Sequence, residues 1–175
     1  MKVFSRAGLL AGAFLLAGSF GALAADKPSD PQIAHIAYTT GVIDIKSAEQ
    51  ALAISKNDAV RAFATSMVTD HKTVNDLALA LVAKLGVTPE DNDTSKGLVA
   101  QSETKAAELA KLSGADFDKA YVANEVAYHK AVNGAVADLL IPSASNAELK
   151  SLLETGLKIF QGHQLHAEQV AESLK

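Results

Sequence analysis

The segment from Asp58 to Gly86, DAVRAFATSMVTDHKTVNDLALALVAKLG, decides the fold of this 175-residue chain. Its apolar residues recur every three or four positions, which is the period of an α-helix with one buried face. Gly86 follows the last apolar residue and is a typical helix stop. The pattern therefore predicts one helix from about Asp58 to Leu85, with an apolar seam formed by Val60, Phe63, Met67, Val74, Ala78, Leu81 and Leu85.

A second long helix is predicted before this segment. It runs from Pro31 to about Ile54, with Asp30 as its N-cap and Pro31 at its first position, where a missing N–H is harmless. A tight polar turn over 55–58 joins it to the helix that begins at Asp58. Helices joined by so short a turn pack as antiparallel neighbours.

Two further helices are predicted after the quoted segment. An acidic loop over 87–93, interpreted as solvated, leads to a short helix over about 94–112. A longer helix follows over about 116–140 and ends at the turn that contains Pro142. The short helix is expected to connect or cover the long ones.

The last predicted helix begins at a capping box made by Ser145 and Glu148 and continues almost to Lys175. Four long amphipathic helices bury their apolar faces most simply as an antiparallel four-helix bundle. No stretch alternates apolar and polar residues for long enough to predict a sheet. The expected class is therefore all-α, with one additional short helix.

Residues 1–24 are typical of a secretory signal peptide. Lys2 and Arg6 precede an uncharged stretch over 7–23, and Ala22-Leu23-Ala24 is the pattern that signal peptidase requires. Glycines interrupt the stretch, which is too short for a membrane-spanning helix, so an uncleaved anchor is disfavoured. The sequence predicts cleavage after Ala24, a domain over 25–175 without a transmembrane anchor, and a periplasmic location.

Charge and composition exclude several classes of protein. The chain has 20 acidic and 16 basic residues and no basic cluster, which argues against a nucleic-acid partner. It has no cysteine, which excludes disulfides, thiolate metal sites and covalently attached haem. A protein partner and a homo-oligomer remain open.

Three motifs, taken together behind a signal peptide, are similar to a known family. They are Phe63-Ala64-x-x-Met67-Val68-x-Asp70-His71, Phe117-Asp118-x-x-Tyr121 followed by His129, and His163-x-x-His166-Ala167. The combination resembles the exported bacterial family called domain of unknown function 4142, whose members are often labelled outer membrane proteins and grouped with ferritin-like bundles. The resemblance covers 33–174 and implies a ferritin-like fold, but no activity. One departure is Asp44, where the family usually has the longer Glu.

Five polar residues interrupt the apolar seams of the long helices. His71 continues the seam of its helix, and His163 does the same in the last helix. Glu125 and His129 lie one helical turn apart, and Asp44 lies among small residues. Residues equally far from the turn of an antiparallel hairpin lie at the same height along the bundle. The sequence midpoints of the pairs Asp44/His71 and Glu125/His163 both fall in turns, so the two members of each pair are level. All five are therefore expected to converge at the middle of the bundle.

Imidazoles and carboxylates that face inward from four helices are typical ligands of a divalent transition metal such as Zn, Fe, Cu, Ni or Mn. Asp70 and His166 flank the seam and are predicted to support the ligands without binding metal. His35 lies far from the others and is predicted to be solvated. The alternative is a hydrogen-bonded network that only fixes helix register in a structural or interaction protein of the cell envelope.

Enzyme chemistry finds little support in the sequence. A ferritin-like di-iron site would use Glu-x-x-His motifs, and the chain has none. Met67 with one His is weak ground for a non-covalent haem site, and no serine elbow or cysteine supports a hydrolase. Two hypotheses remain: a periplasmic metal-binding bundle used for storage, sensing or protection, and a non-catalytic envelope protein.

Overall fold

The structure, a computed structural model, describes residues 27–175, and these residues form an all-α bundle. No strand occurs among them, and none of their helices is long and apolar enough to cross a membrane. The predicted signal peptide lies outside the described residues. The all-α class and the pattern of four long helices with one short helix are confirmed; the helices are α1 Asp30–Ile54, α2 Asp58–Leu85, α3 Asp93–Leu109, α4 Gly114–Ala135 and α5 Ala147–Ser173.

Contacts at one end of the bundle fix the direction of each helix. The Asp30 carboxylate, at the start of α1, accepts hydrogen bonds from the backbone N–H groups of Ser145 and Asn146 at 2.8 and 2.9 Å. Lys84, near the end of α2, forms an ion pair with Glu148 in α5. We call this end the base. The long helices pack in the order α1, α2, α5, α4, each antiparallel to its neighbours, and α3 carries the chain back from the base. One such crossover is typical of ferritin-like bundles.

The cap of α1 differs from the prediction. Ser29 is the N-cap, and with Gln32 it forms a capping box. The predicted cap, Asp30, lies one residue inside the helix. Its carboxylate is engaged by the distant turn before α5, so it does not compete with Ser29 for the amides of its own helix.

The cap of α5 also differs, since Asn146 replaces the predicted Ser145. The Asn146 side chain accepts hydrogen bonds from the backbone N–H groups of Glu148 and Leu149. The backbone N–H of Ser145 is held by Asp30, which positions Asn146 to begin the helix. In contrast, both ends of α2 are as predicted, and Gly86 adopts the left-handed conformation, φ 64°, that ends many helices.

The end of α4 is not a regular α-helix, although the sequence predicted one to Leu140. Residues Val136–Leu140 form a π-helical segment, in which the Ile141 N–H bonds to the carbonyl of Val136. A last helical turn, Ile141–Ser143, follows. Pro142 has no N–H and its ring crowds the carbonyl four residues earlier. The wider π turn accommodates the proline without ending the helix.

Two hydrophobic clusters fill the interior, and a polar layer separates them. Each fully buried large apolar side chain contributes roughly 1.5–3 kcal/mol to folding, so these clusters can offset the cost of burying polar groups between them. The base cluster includes Ile33, Ile36, Tyr128, Val132, Leu140, Leu149 and Leu153. The cluster at the opposite end, which we call the turn-side cluster, includes Val60, Phe63, Met67, Phe117, Tyr121, Val122 and Val170.

Candidate metal centre

The polar layer contains all five residues that the sequence placed at one height. Their side chains are at most 8% exposed, and they come from all four long helices. The convergence predicted from helical period and turn symmetry is therefore found; the residues are Asp44 in α1, His71 in α2, Glu125 and His129 in α4, and His163 in α5.

Asp44 lies at the centre of this layer. Its Oδ2 atom is 3.4 Å from His71 Nε2 and 3.3 Å from His129 Nε2, yet neither contact has hydrogen-bond geometry. No described residue donates a hydrogen bond to either Asp44 oxygen. Ligand atoms about 2.0–2.1 Å from a tetrahedral ion are about 3.3–3.4 Å apart. The distance from Asp44 Oδ2 to each imidazole nitrogen therefore suits two ligands of one ion.

His129 is held in the tautomer that a metal ligand needs. Its Nδ1 atom lies 3.0 Å from the backbone carbonyl oxygen of Glu125, which can only accept a hydrogen bond. Nδ1 must therefore carry the proton, and Nε2 of the neutral ring has a free lone pair. A ligating histidine commonly donates its other N–H to a carbonyl in this way.

His163 is oriented by a carboxylate. Its Nε2 atom lies 2.9 Å from Asp70 Oδ2, so Nε2 donates and Nδ1 remains as the free acceptor. Nδ1 is buried and has no hydrogen-bond partner among the described residues. Asp70 thus makes the supporting contact expected from the sequence, and carboxylate–histidine pairs of this kind recur around metal ions.

His71 completes a group of three imidazoles. Its ring stacks on Phe160 at 4.7 Å between centroids, and its centroid lies 5.2 Å from that of His163 and 5.9 Å from that of His129. One ring nitrogen of each of the three histidines lies within 4.8 Å of the others. Neither His71 nitrogen has a hydrogen-bond partner in the described part of the chain.

Glu125 belongs to a second, overlapping group. Ligand atoms of Asp44, Glu125 and His129 also lie within 4.8 Å of one another. Glu125 Oε1 accepts a hydrogen bond from Ser47 Oγ at 2.7 Å and a long one from Asn124 Nδ2 at 3.5 Å. Its Oε2 has no hydrogen-bond partner within residues 27–175. The two groups share His129, with Asp44 between them.

Burial keeps these groups neutral at pH 7. It raises the pKa of the Asp44 carboxyl to about 8. Burial and the nearby Asp44 charge raise the pKa of Glu125 to about 8 as well. Burial, with the neighbouring imidazoles, lowers the pKa of His71 to about 2, and burial also lowers the pKa of His129 and His163. Without a cation, the layer is therefore a set of neutral acids and neutral imidazoles.

The remaining predicted histidines lie beside the layer or away from it. His166 packs edge-on against Phe63 at 5.2 Å between centroids, and no hydrogen bond joins it to the five residues in the part that the structure describes. The prediction that His35 is solvated was wrong, because it is half-buried and its Nδ1 lies 2.8 Å from Ser95 Oγ. The sequence could not show that α3 would cover it.

Two supporting residues were missed, although the sequence contained a signal for both. Ser47 lies three residues after Asp44, and Phe160 lies three residues before His163. Residues three apart on a helix are neighbours on its surface, so each could have been expected beside its partner. Which residue of another helix each would contact could not be read from spacing.

Comparison with known proteins gives one match. Residues 17–170 match the family described as Domain of unknown function (DUF4142), which is the family that the motifs resembled. No curated protein and no solved structure shows a significant match to the chain.

Proposed function

We propose that this chain, which belongs to the DUF4142 family, binds one divalent transition-metal ion in the polar layer of its bundle. Three imidazole nitrogens, from His71, His129 and His163, and one oxygen of Asp44 would be the ligands. Imidazole suits Zn, Cu, Fe and Ni, and a carboxylate ligand also admits Mn. No thiolate is available to select softer ions.

One observation carries the proposal: buried polar atoms of Asp44, His71 and His129 converge without hydrogen bonds between them. A network that served only to fix helix register would be expected to hydrogen-bond its own members. Here Asp44 approaches two imidazole nitrogens at 3.3 and 3.4 Å, and its carboxylate oxygens and both Nε2 atoms lack hydrogen-bond partners among the described residues. A cation that displaced the Asp44 proton would bind an Asp44 oxygen and the imidazole nitrogens at once.

The proposed setting is the periplasm, and the proposed roles are storage, sensing or protection. The predicted signal peptide, with its Ala22-Leu23-Ala24 cleavage pattern, supports export. The competing hypothesis, a structural envelope protein, is favoured by contacts that need no metal, namely the His163–Asp70 hydrogen bond and the stacking of Phe160 on His71.

Elemental analysis of untagged protein purified from the periplasm of its host separates the two hypotheses. We expect about one equivalent of a transition metal per chain, and reloading of metal-stripped protein with Zn²⁺ or Co²⁺ should raise its melting temperature by mass action. His71→Ala and His163→Ala should each abolish most of this protection. Their effects should not add, because both act through one ion.

His35→Ala is the matched control, since it removes an imidazole outside the layer and should leave metal affinity unchanged. Metal-free protein from the host, together with a melting temperature that none of the five metals raises, would contradict the proposal. In that case His71→Ala and His163→Ala would only lower the stability of the protein, and the structural hypothesis would stand.

A further inference from the structure

A crevice of about 410 Å³ opens between α1, α3 and α4. Ligand pockets commonly begin at about 300 Å³. Its lining includes Ser47 and Asn124, the two residues that hydrogen-bond Glu125 Oε1. The crevice therefore reaches residues that contact Glu125, which belongs to the polar layer.

We infer that Asp44, Glu125 and His129 form an outer cation position, and that a divalent metal ion reaches the inner ligands from the crevice through it. The inference rests on the proposed function and adds to it a second position and a route. Glu125 Oε2 and both Asp44 oxygens are buried and lack partners in the described part of the chain, as a cation position requires.

The overlap of the two groups permits a stepwise transfer. His129 belongs to both groups, and Asp44 Oδ2 lies close to His129 and to His71. An ion held by the outer group can therefore exchange Glu125 for His71 and His163 while it keeps its other two ligands. No step leaves the ion without protein ligands in the interior.

The opposite face of the layer has larger side chains in contact with the ligands. There, His163 is held by its hydrogen bond to Asp70, and the Phe160 ring covers His71. On the crevice side, Glu125 Oε1 accepts hydrogen bonds from the small polar side chains of Ser47 and Asn124, which both line the crevice. A hydroxyl and an amide can turn toward a hydrated ion, so the crevice side is the easier passage.

A bulky side chain on the α3 wall of the crevice tests the route. Ser102 lies on this wall, whereas Thr104, on the same helix, is exposed and does not line the crevice. We expect Ser102→Phe to slow both uptake and release of Co²⁺ about tenfold, with Kd unchanged, because an obstructed path affects both directions equally. Thr104→Phe is the control and should match the wild type. Stopped-flow absorption of Co²⁺ bound to metal-stripped protein measures the rates.

Glu125→Gln tests the outer position, because it keeps the shape of the side chain and removes its ability to ionise when a cation binds. We expect this variant to take up Co²⁺ more slowly than the wild type, although its crevice stays open. Its melting temperature without metal should not be lower than that of the wild type. If Ser102→Phe fails to fold, Ala106→Leu on the same wall replaces it.

The outcomes separate the two proposals. Wild-type uptake rates in both the crevice variant and Glu125→Gln would overturn the route and the outer position, while leaving the proposed function intact. Absence of Co²⁺ binding by the wild-type protein would overturn the proposed function itself.

Discussion

Asp44 is the residue on which the polar layer depends most, because it touches two imidazoles and is completely buried. Its pKa is raised to about 8 by burial, whereas a carboxyl in an unfolded chain titrates near 4. Between these values the folded protein retains a proton that the unfolded chain releases. The contribution of Asp44 to the stability of the metal-free protein is therefore lost as the pH rises from about 4 to about 8.

Asp44→Asn should accordingly stabilise the metal-free protein while it weakens metal binding. Asn has the shape of the protonated acid and cannot ionise. We expect a gain of roughly a few kcal/mol in the free energy of unfolding at pH 8, because each unit by which the folded and unfolded pKa values differ corresponds to about 1.4 kcal/mol. The gain should vanish near pH 4. Urea denaturation in a chelating buffer measures it, and equal stability of the two proteins at pH 8 would show that Asp44 is not held protonated.

Asp70→Asn should reduce metal affinity without direct contact between Asp70 and the ion. Loss of a carboxylate that orients a ligating histidine typically costs about 10–100-fold in affinity. Asp76→Asn makes the same charge change at an exposed position of the same helix and should have no effect. Competition with a chelator of known affinity measures the difference, and equal affinities of both variants would contradict the orienting role of Asp70.

At the level of single residues, the sequence predicted which side chains would meet but not how each would be bonded. Helical period placed His71 and His163 inward, and turn symmetry placed Asp44 level with His71. The tautomer of His129 depends on the carbonyl of Glu125, one turn earlier in the same helix. Such detail follows from the direction of side chains in the folded chain and not from residue spacing.

Among the helices, α1 and α2 pack closely together at Gly41. A Cβ atom at Gly41 would lie 2.3 Å from Oδ1 and 2.9 Å from Cγ of Asn75, which is buried. The missing side chain allows α1 to lie close to α2 one turn from Asp44. The helix spacing that brings Asp44 to His71 therefore depends on this glycine.

Gly41→Ala should destabilise the protein by about 1–3 kcal/mol, as overpacking does, even though Ala in a helix is ordinarily favoured over Gly by about 0.5–1 kcal/mol. Gly162→Ala, at an exposed position of α5 with nothing within 4 Å of the added atom, should instead be stabilising. Chemical denaturation of both variants measures the two signs. Stabilisation by Gly41→Ala would mean that Asn75 can move aside.

The helices themselves were predictable to different degrees. Both ends of α2 were predicted because a polar turn and Gly86 mark them locally. The π-helical segment after α4 was not predicted, since proline ordinarily ends a helix and here packing of Val136 and Leu140 in the base cluster keeps the chain helical. Local signals decide a boundary only where tertiary packing does not compete with them.

For the whole molecule, pH should act in opposite directions on the metal-free and metal-bound forms. Burial lowers the pKa of the three imidazoles, which disfavours the folded state at low pH. This cost falls as the pH rises, and it is gone above about pH 6.5, where the unfolded histidines also lose their protons. Above that value only the raised pKa of Asp44 and Glu125 matters, and it makes the metal-free protein less stable toward pH 8. Metal binding displaces the proton of the ligand Asp44, so affinity should rise over this range.

The increase in melting temperature caused by Zn²⁺ should therefore be larger at pH 8 than at pH 6.5. Calorimetry of metal-free and loaded protein at fixed free Zn²⁺ measures it. An increase that stays constant between these two pH values would indicate that binding releases no proton and that Asp44 is already ionised in the metal-free protein.

The bundle topology could be predicted from the sequence in outline, because short turns pair α1 with α2 and α4 with α5. The course of α3 could not be predicted, since its apolar face is weak and its loops do not dictate which groove it follows. The crevice, which depends on that course, was consequently missed.

The polar layer also divides the hydrophobic interior into two parts, and this has a consequence for local unfolding. Without an ion, little apolar contact crosses the layer, so the turn-side and base clusters can open as separate cooperative units. An ion bound by all four helices would couple them. Amide hydrogen exchange should therefore give two distinct opening free energies in the metal-free protein and a single, higher one after loading.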